Sequence, residues 1–257
     1  MSKKVLLLND CSDNRHFGSR MVTEAFYMNV EARGHTLKTV KRGHLYSDSM
    51  LEWADVVLVN AEGCIHDGKY EELLAVGGKH PNAVLMNGSM QNLSRHYGDE
   101  LSRFKLVTVR ESYSAAELAI SHGFEAEVVP DIIYSLPTHF LHRSEGRFVS
   151  DSSDRQFRRG RTCAATDPEF VSKLTGSAAA CVGRFHAAVL CSKVGVPLSA
   201  FGGNTHKLRG LMLDMGLDDL YFEEADDAMI ATPRKADPSY ALYAAERIGE
   251  LFREVLG

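Results

Sequence analysis

Short runs of apolar, often β-branched residues alternate with helical stretches along this chain, and that alternation leaves few folds open. Val5 to Leu8, Leu37 to Val40, Asp55 to Asn60, Ala83 to Met86, Leu106 to Val109 and Glu127 to Val129 read as strands. Ser19 to Ala32, Tyr70 to Val76 and Ser114 to Ser121 read as helices, with Gly34 and Gly123 as stops. Strands that apolar throughout have no wet face. Parallel pairing also needs a long crossover, which a helix supplies, so the pattern predicts a parallel sheet covered on both faces.

The pattern pauses at Leu136-Pro137 and a linker from Thr138 to Gly146, then resumes. Arg147 to Ser150, Ala178 to Val182, Leu198 to Phe201 and Leu220 to Phe222 are the later strands. Asp167 to Thr175 reads as a helix with Asp167 as cap and Pro168 in the first turn, and Lys207 to Met215 as another. Tyr240 to Leu256 is a long amphipathic helix with Leu242, Ala245, Ile248, Leu251, Phe252 and Val255 on one face. A length of 257 residues suits two small domains. The expected architecture is α/β, with two Rossmann-like parallel-sheet halves, 1–137 and a compact 147–239, and a cleft between them. The segment 240–257 either packs back on the N-terminal domain or forms a homodimer face.

Thirty-four acidic residues against 29 basic ones give a net charge of -5, which argues against nucleic acid or anionic lipid as partner and makes any anion site local. The one basic run, Arg155 to Arg161, holds a single aromatic and reads as a solvated edge. Lys3-Lys4 lead into only four apolar residues, so no signal peptide or integral membrane segment is expected. Five scattered cysteines without CxxC spacing fit a reducing, cytoplasmic protein, with Cys11 and Cys64 as small buried thiols. No metal is expected. Asp218-Asp219 and Asp226-Asp227 belong to a solvated acidic stretch.

Ligands of open parallel sheets bind beyond the carboxyl ends of the strands, and that rule selects the candidate residues. After the first strand, Asp10, His16 and Gly18 lie in a polar loop that either cradles an anion or simply caps a helix. After the third, Asn60, Glu62, Gly63 and His66 offer a carboxylate and an imidazole for proton transfer with a sugar hydroxyl. Asn87-Gly88 offers an amide for a polyol or marks a turn. Arg110 stands where a strand becomes a helix that Ser112 or Ser114 can cap; it points a fork of donors into the cleft or pairs with Glu111. Val182 to Ala188 places Arg184 and His186 at the start of an apolar helix. There they form an anion and proton-transfer site, or one solvated Arg and one satisfied core His. Asn204 and Thr205, with Lys207, make a capped anion cradle beside them.

The series Asn60 to His66, Val109 to Ser112, Pro130-Asp131, Gly183 to His186 and Asn204 to Lys207 resembles, in order and spacing, the polysaccharide pyruvyl transferase family. The resemblance runs from the first strand to about Leu217, and Arg-Phe-His at 184–186 is its most specific motif. It implies a GT-B-like transferase without cofactor that modifies a cell-surface glycan precursor, moving pyruvyl carbons from phosphoenolpyruvate onto a sugar as a ketal. The N-terminal half would then face the acceptor and the C-terminal half the donor. Arg184 and Arg110 would hold the donor's carboxylate and phosphate, Phe185 would pack against it, and His186 would protonate its methylene carbon. Asn204, Thr205 and Lys207 complete the donor side, and Glu62 or His66 is the acceptor-side base suggested by chemistry alone. Two alternatives stay open: a glycosyltransferase using a nucleotide sugar, and a non-catalytic sugar- or nucleotide-binding module.

Overall fold

The computed structural model describes residues 1–62, 65–137, 146–152 and 163–257. Gly63, Cys64, the linker span 138–145 and the basic run Arg155 to Arg161 lie outside the described residues. The described strands form two sheets in which every ladder is parallel.

The N-terminal sheet contains β1 (Lys4–Asp10), β2 (Thr36–Lys41), β3 (Val56–Asn60), β4 (Ala83–Gly88), β5 (Leu106–Val109) and β6 (Glu127–Val128), in the order β2-β1-β3-β4-β5-β6. Every residue of β3 and β4 is buried, as their apolar runs Val56 to Val59 and Ala83 to Met86 require, with Asn60 and Asn87 buried at the strand ends. The chain leaves β1 to one side and returns on the other, so a crevice opens at the carboxyl ends of β1 and β3. That crevice positions the site.

Local capping sets the helix boundaries here. Helix α1 (Phe17–Glu31) begins earlier than expected because His16 is its cap, Nδ1 accepting from the Gly18 amide at 3.2 Å. Helix α2 (Asp48–Trp53), capped by Ser47, was not expected. The helix expected from Tyr70 is a tighter 3-10 segment, Glu71–Gly78, entered through Tyr70 at φ +54. After the short α3 (Gly98–Leu101), α4 (Ser112–His122) starts on Glu111, whose carboxylate accepts from the Ser114 amide, so the cap is the glutamate and not a serine.

The second sheet is β7 (Arg147–Ser152), β8 (Ala179–Gly183), β9 (Leu198–Phe201) and β10 (Tyr221–Phe222), in the order β10-β9-β8-β7. Right-handed crossovers that always step in one direction put α5 (Phe170–Thr175), α6 (Phe185–Val194) and α7 (Lys207–Asp214) on a single face. The other face is covered by α8 (Ala225–Ile230), where Ala228 meets Cys181 and Phe201. Helix α5 starts at Phe170, so Asp167-Pro168 is not its cap; Asp167 Oδ1 instead accepts from the Glu169 amide just outside it.

One apolar cluster joins the two sheets, running from Val5, Val22 and Phe26 through Ile133 and Tyr134 to Phe170, Val189 and Leu208. The terminal helix α9 (Pro238–Leu256) packs on α1, α6 and the 3-10 turn Ile132–Ser135, with the Phe26 and Phe252 rings 6.1 Å apart and nearly perpendicular. Its buried stripe is Ala244, Ile248, Leu251, Phe252 and Val255, so Leu242 and Ala245 belong to the exposed side. No helix among the described residues is long and apolar enough to cross a membrane.

Candidate functional site

Arg110 follows β5 and is fully buried, although a buried guanidinium is costly unless each of its faces is engaged. Here each one is. Nη1 donates to Asp131 Oδ2 at 2.8 Å, Nε donates to Ser89 Oγ at 2.8 Å, and the plane lies over the Phe185 ring at 4.0 Å. Nη1 also reaches His186 Nε2 at 3.0 Å, and because arginine can only donate, Nε2 accepts in this contact. Burial would raise the Asp131 carboxyl, but the adjoining His186 ring and Arg110 guanidinium outweigh it and hold it well below the usual carboxylate range.

His186 is thus clamped from both sides. Its Nε2 lies 3.4 Å from Asp131 Oδ2 and 3.9 Å from Glu62 Oε1. Behind the ring, a Cβ placed on Gly18 would stand only 2.0 Å from Nδ1, so the first turn of α1 rests directly on the imidazole. Glu62 itself is buried; Oε1 accepts from Ser19 Oγ at 2.9 Å, while Oε2 has no protein partner.

These groups form the floor of a cleft of about 230 Å³ whose walls come from both halves. Asn14, His16, Ser19, Arg42 and Glu62 are contributed by the N-terminal half, and Arg184, Phe185, Asn204 and Lys207 by the other. Arg42, Arg184 and Lys207 make the rim cationic, and α1 and α6 begin beside it, adding their positive ends. Arg184 is held by a two-pronged contact with Asp151, at 3.1 and 2.5 Å. Burial first, then the charges of His186, Arg184 and Lys207, push the His16 ring down to about 3. The depressed value suits its role as a cap acceptor, since protonation at Nδ1 would break the bond from Gly18.

An acid-side test follows from His16. An unfolded histidine takes up a proton near pH 6.5, whereas the folded one resists until about 3, so stability is lost as pH falls below about 6.5. His16→Asn keeps a good cap without the titration. Melting curves at pH 7 and 5 are expected to show a smaller acid loss for the variant; an equal loss contradicts the assignment.

Several residues singled out in the sequence lie elsewhere. Asp10 is buried under β2 and accepts from Tyr27 Oη at 2.5 Å and the Ser12 amide at 2.8 Å, with Lys41 at 3.1 Å. Burial raises its carboxyl, but those hydrogen bonds prevail and bring it down to about 2. Asn60 ties β3 to β1 through the Asn9 carbonyl and accepts from the Glu62 amide. Asn87 accepts from the Ile132 amide, and His66 contacts Asp67 at 2.8 Å; neither lines the cleft. Phe185 does line the cleft, and one face of its ring carries the Arg110 guanidinium at 4.0 Å. Arg110 pairs with Asp131 and not with Glu111. Asn204 and Thr205 do not cap α7: that position belongs to His206, whose amide donates to Gln91 Oε1 at 2.9 Å across the two halves. Thr205 does not line the cleft.

Arg42, Asn14, Ser19, Asp131 and Asp151 join the site without a local sequence signal for it. The strand-end rule already contained Arg42, which directly follows β2. Asp131 and Asp151 are partners of the arginines, and pairings across 21 and 33 residues leave no local signature.

No family model and no curated protein matches the chain. Among solved structures, a functionally uncharacterized protein from Klebsiella pneumoniae subsp. pneumoniae superposes with TM-score 0.56 at 14% identity, covering 85% of this chain and 90% of that one. This is a likeness of fold alone. A XylFII molecule and the lac repressor dimer bound to operator and the anti-inducer ONPF align at 8% and 9% identity. They cover 98% and 99% of this chain and 94% and 88% of their own, but a TM-score of 0.32 in both cases is too low to speak for a shared architecture.

Proposed function

We propose that this protein transfers the pyruvyl carbons of phosphoenolpyruvate to two hydroxyls of a glycan-precursor sugar, on a GT-B-like scaffold whose C-terminal half holds the donor. The observation that carries the reading is His186, set between Arg110, Asp131 and Glu62 at the floor of a cleft rimmed by Arg42, Arg184 and Lys207. A small donor bearing both a carboxylate and a phosphate matches that rim in charge.

In the reaction, the His186 imidazolium, its Nε2 released from the Arg110 contact, passes a proton to the donor's methylene carbon, which becomes a methyl group and leaves an oxocarbenium-like centre. Cationic side chains already in place offset the charge of the departing phosphate. One sugar hydroxyl attacks that centre and gives up its proton; the Glu62 carboxylate, which lines the cleft, is the acceptor the site offers. A second hydroxyl displaces phosphate and closes the ketal. The two hydroxyl protons balance the one taken up by carbon and the one carried by hydrogen phosphate.

The test pairs ligand binding with turnover. Phosphoenolpyruvate is expected to raise the melting temperature, by the equivalent of about 2.7 kcal/mol at a hundred times Kd, while UDP-, GDP- and CMP-sugars do not. With acceptor sugars present, phosphate is released; His186→Ala lowers that rate by roughly a hundredfold or more with donor binding nearly unchanged, whereas Arg184→Ala weakens donor binding. Stabilisation by a nucleotide sugar alone overturns the reading in favour of glycosyl transfer.

A further inference from the structure

A second recess lies beside the cationic cleft, and no step above uses it. Its volume is about 90 Å³, and it is walled by Tyr46, Tyr70, Leu45 and Leu73 with Asn9, His44 and Glu72 at its edges. Leu45 is 95% exposed and Tyr46 and Tyr70 are half-buried, so apolar and aromatic surface is presented to solvent next to polar groups. Arg42 connects the two spaces: it lines the cationic cleft and its guanidinium lies over the Tyr70 ring at 4.5 Å. Tyr70 holds its position with a left-handed backbone, φ +54, a conformation that bulky residues rarely adopt.

Aromatic faces flanked by a carboxylate and an imidazole suit a ligand with an apolar face and a hydroxylated edge. A pyranose ring has both. Its axial C–H groups pack on the tyrosines while Glu72 and His44 exchange hydrogen bonds with its hydroxyls. The recess contains no group that recognises a second phosphate: Lys41, the cation at its wall, is already paired with Asp10 and donates to Ser12. We infer that the recess between Tyr46 and Tyr70 is a sugar subsite that binds a neutral pyranose ring with its edge toward Arg42 and the cationic cleft. Naming this sugar the acceptor rests on the reading proposed above; that the recess binds a pyranose does not.

Saturation-transfer NMR on the full chain with methyl pyranosides of the galacto, gluco and manno series tests this, with uridine as the competing probe. At least one pyranoside is expected to show transfer to its ring C–H protons. Tyr70→Asn, which tolerates the left-handed backbone, and Tyr46→Ala are each expected to weaken it roughly tenfold, while Tyr70→Phe leaves it nearly unchanged. Phosphoenolpyruvate stabilisation should be the same in Tyr46→Ala as in the parent protein. Absence of pyranoside transfer, transfer unaffected by both ring removals, or transfer from uridine alone overturns the inference. Pyranoside binding lost with Tyr70 in a protein that ignores phosphoenolpyruvate would uphold the subsite and reject the donor.

Discussion

Gly18→Ala is expected to disable the site by displacing His186. The added methyl would fall 2.0 Å from Nδ1, 2.4 Å from Cγ and 2.7 Å from Cβ of that residue, and contacts this short cannot be absorbed in place. The imidazole has no route of retreat, because Arg110, Asp131 and Glu62 crowd its other edge. Either the ring rotates out of the Arg110 contact or the first turn of α1 lifts away from α6. Misplacing a reacting group by about 1 Å costs on the order of a hundredfold in rate, so turnover should fall by at least that factor. Overpacking at this one point should cost about 1–3 kcal/mol of stability. Donor binding should survive better than turnover, since the three atoms nearest the added methyl all belong to His186 and none to Arg184 or Lys207. Phosphate release measured beside phosphoenolpyruvate affinity checks both, and a variant with normal turnover would show that the placement of His186 does not matter.

The contact explains what could and could not be read along the chain. Strands β5 and β9 fall where the sequence places them, because short runs buried in a covered parallel sheet stand out between helical stretches. Boundaries shifted where a side chain far from the expected signal supplied the cap, as His16 and Glu111 do. For α9 the expected face holds at Ile248, Leu251, Phe252 and Val255 and departs only in the first two turns, where Ala244 faces inward and Leu242 and Ala245 outward, a choice made by the neighbours α1 and α6. At the site, Arg110, Glu62, Arg184, His186, Asn204 and Lys207 all reach one cleft, since strand-end position governs them. Asp10, Asn60 and Asn87 follow the same rule yet turn to backbone and loop support, because polar residues at a buried strand end must first satisfy the chain's own groups.

Asp131→Asn is expected to be the most damaging isosteric change to stability. The substitution keeps size and one acceptor, but Asp131 has two tasks: Oδ2 accepts from Arg110, and Oδ1 accepts from the Ile133 amide at 3.0 Å. An asparagine has one oxygen for both, and no charge. Arg110 would then stay fully buried without a counter-ion, and breaking such a pair costs about 3–5 kcal/mol. Removing the guanidinium as well, in Arg110→Met with Asp131→Asn, should recover much of that loss, so the double variant is less destabilised than the sum of the singles. The pH dependence gives a second, independent reading. Because the folded carboxyl ionises well below its unfolded value, near 3.9, its stabilisation is complete above that value and fades as pH falls through the range beneath it. Urea unfolding should therefore show the gap between parent and Asp131→Asn widest at pH 7 and shrinking below about pH 4. A gap independent of pH would mean that the carboxylate charge does not hold Arg110, and with it His186, in place.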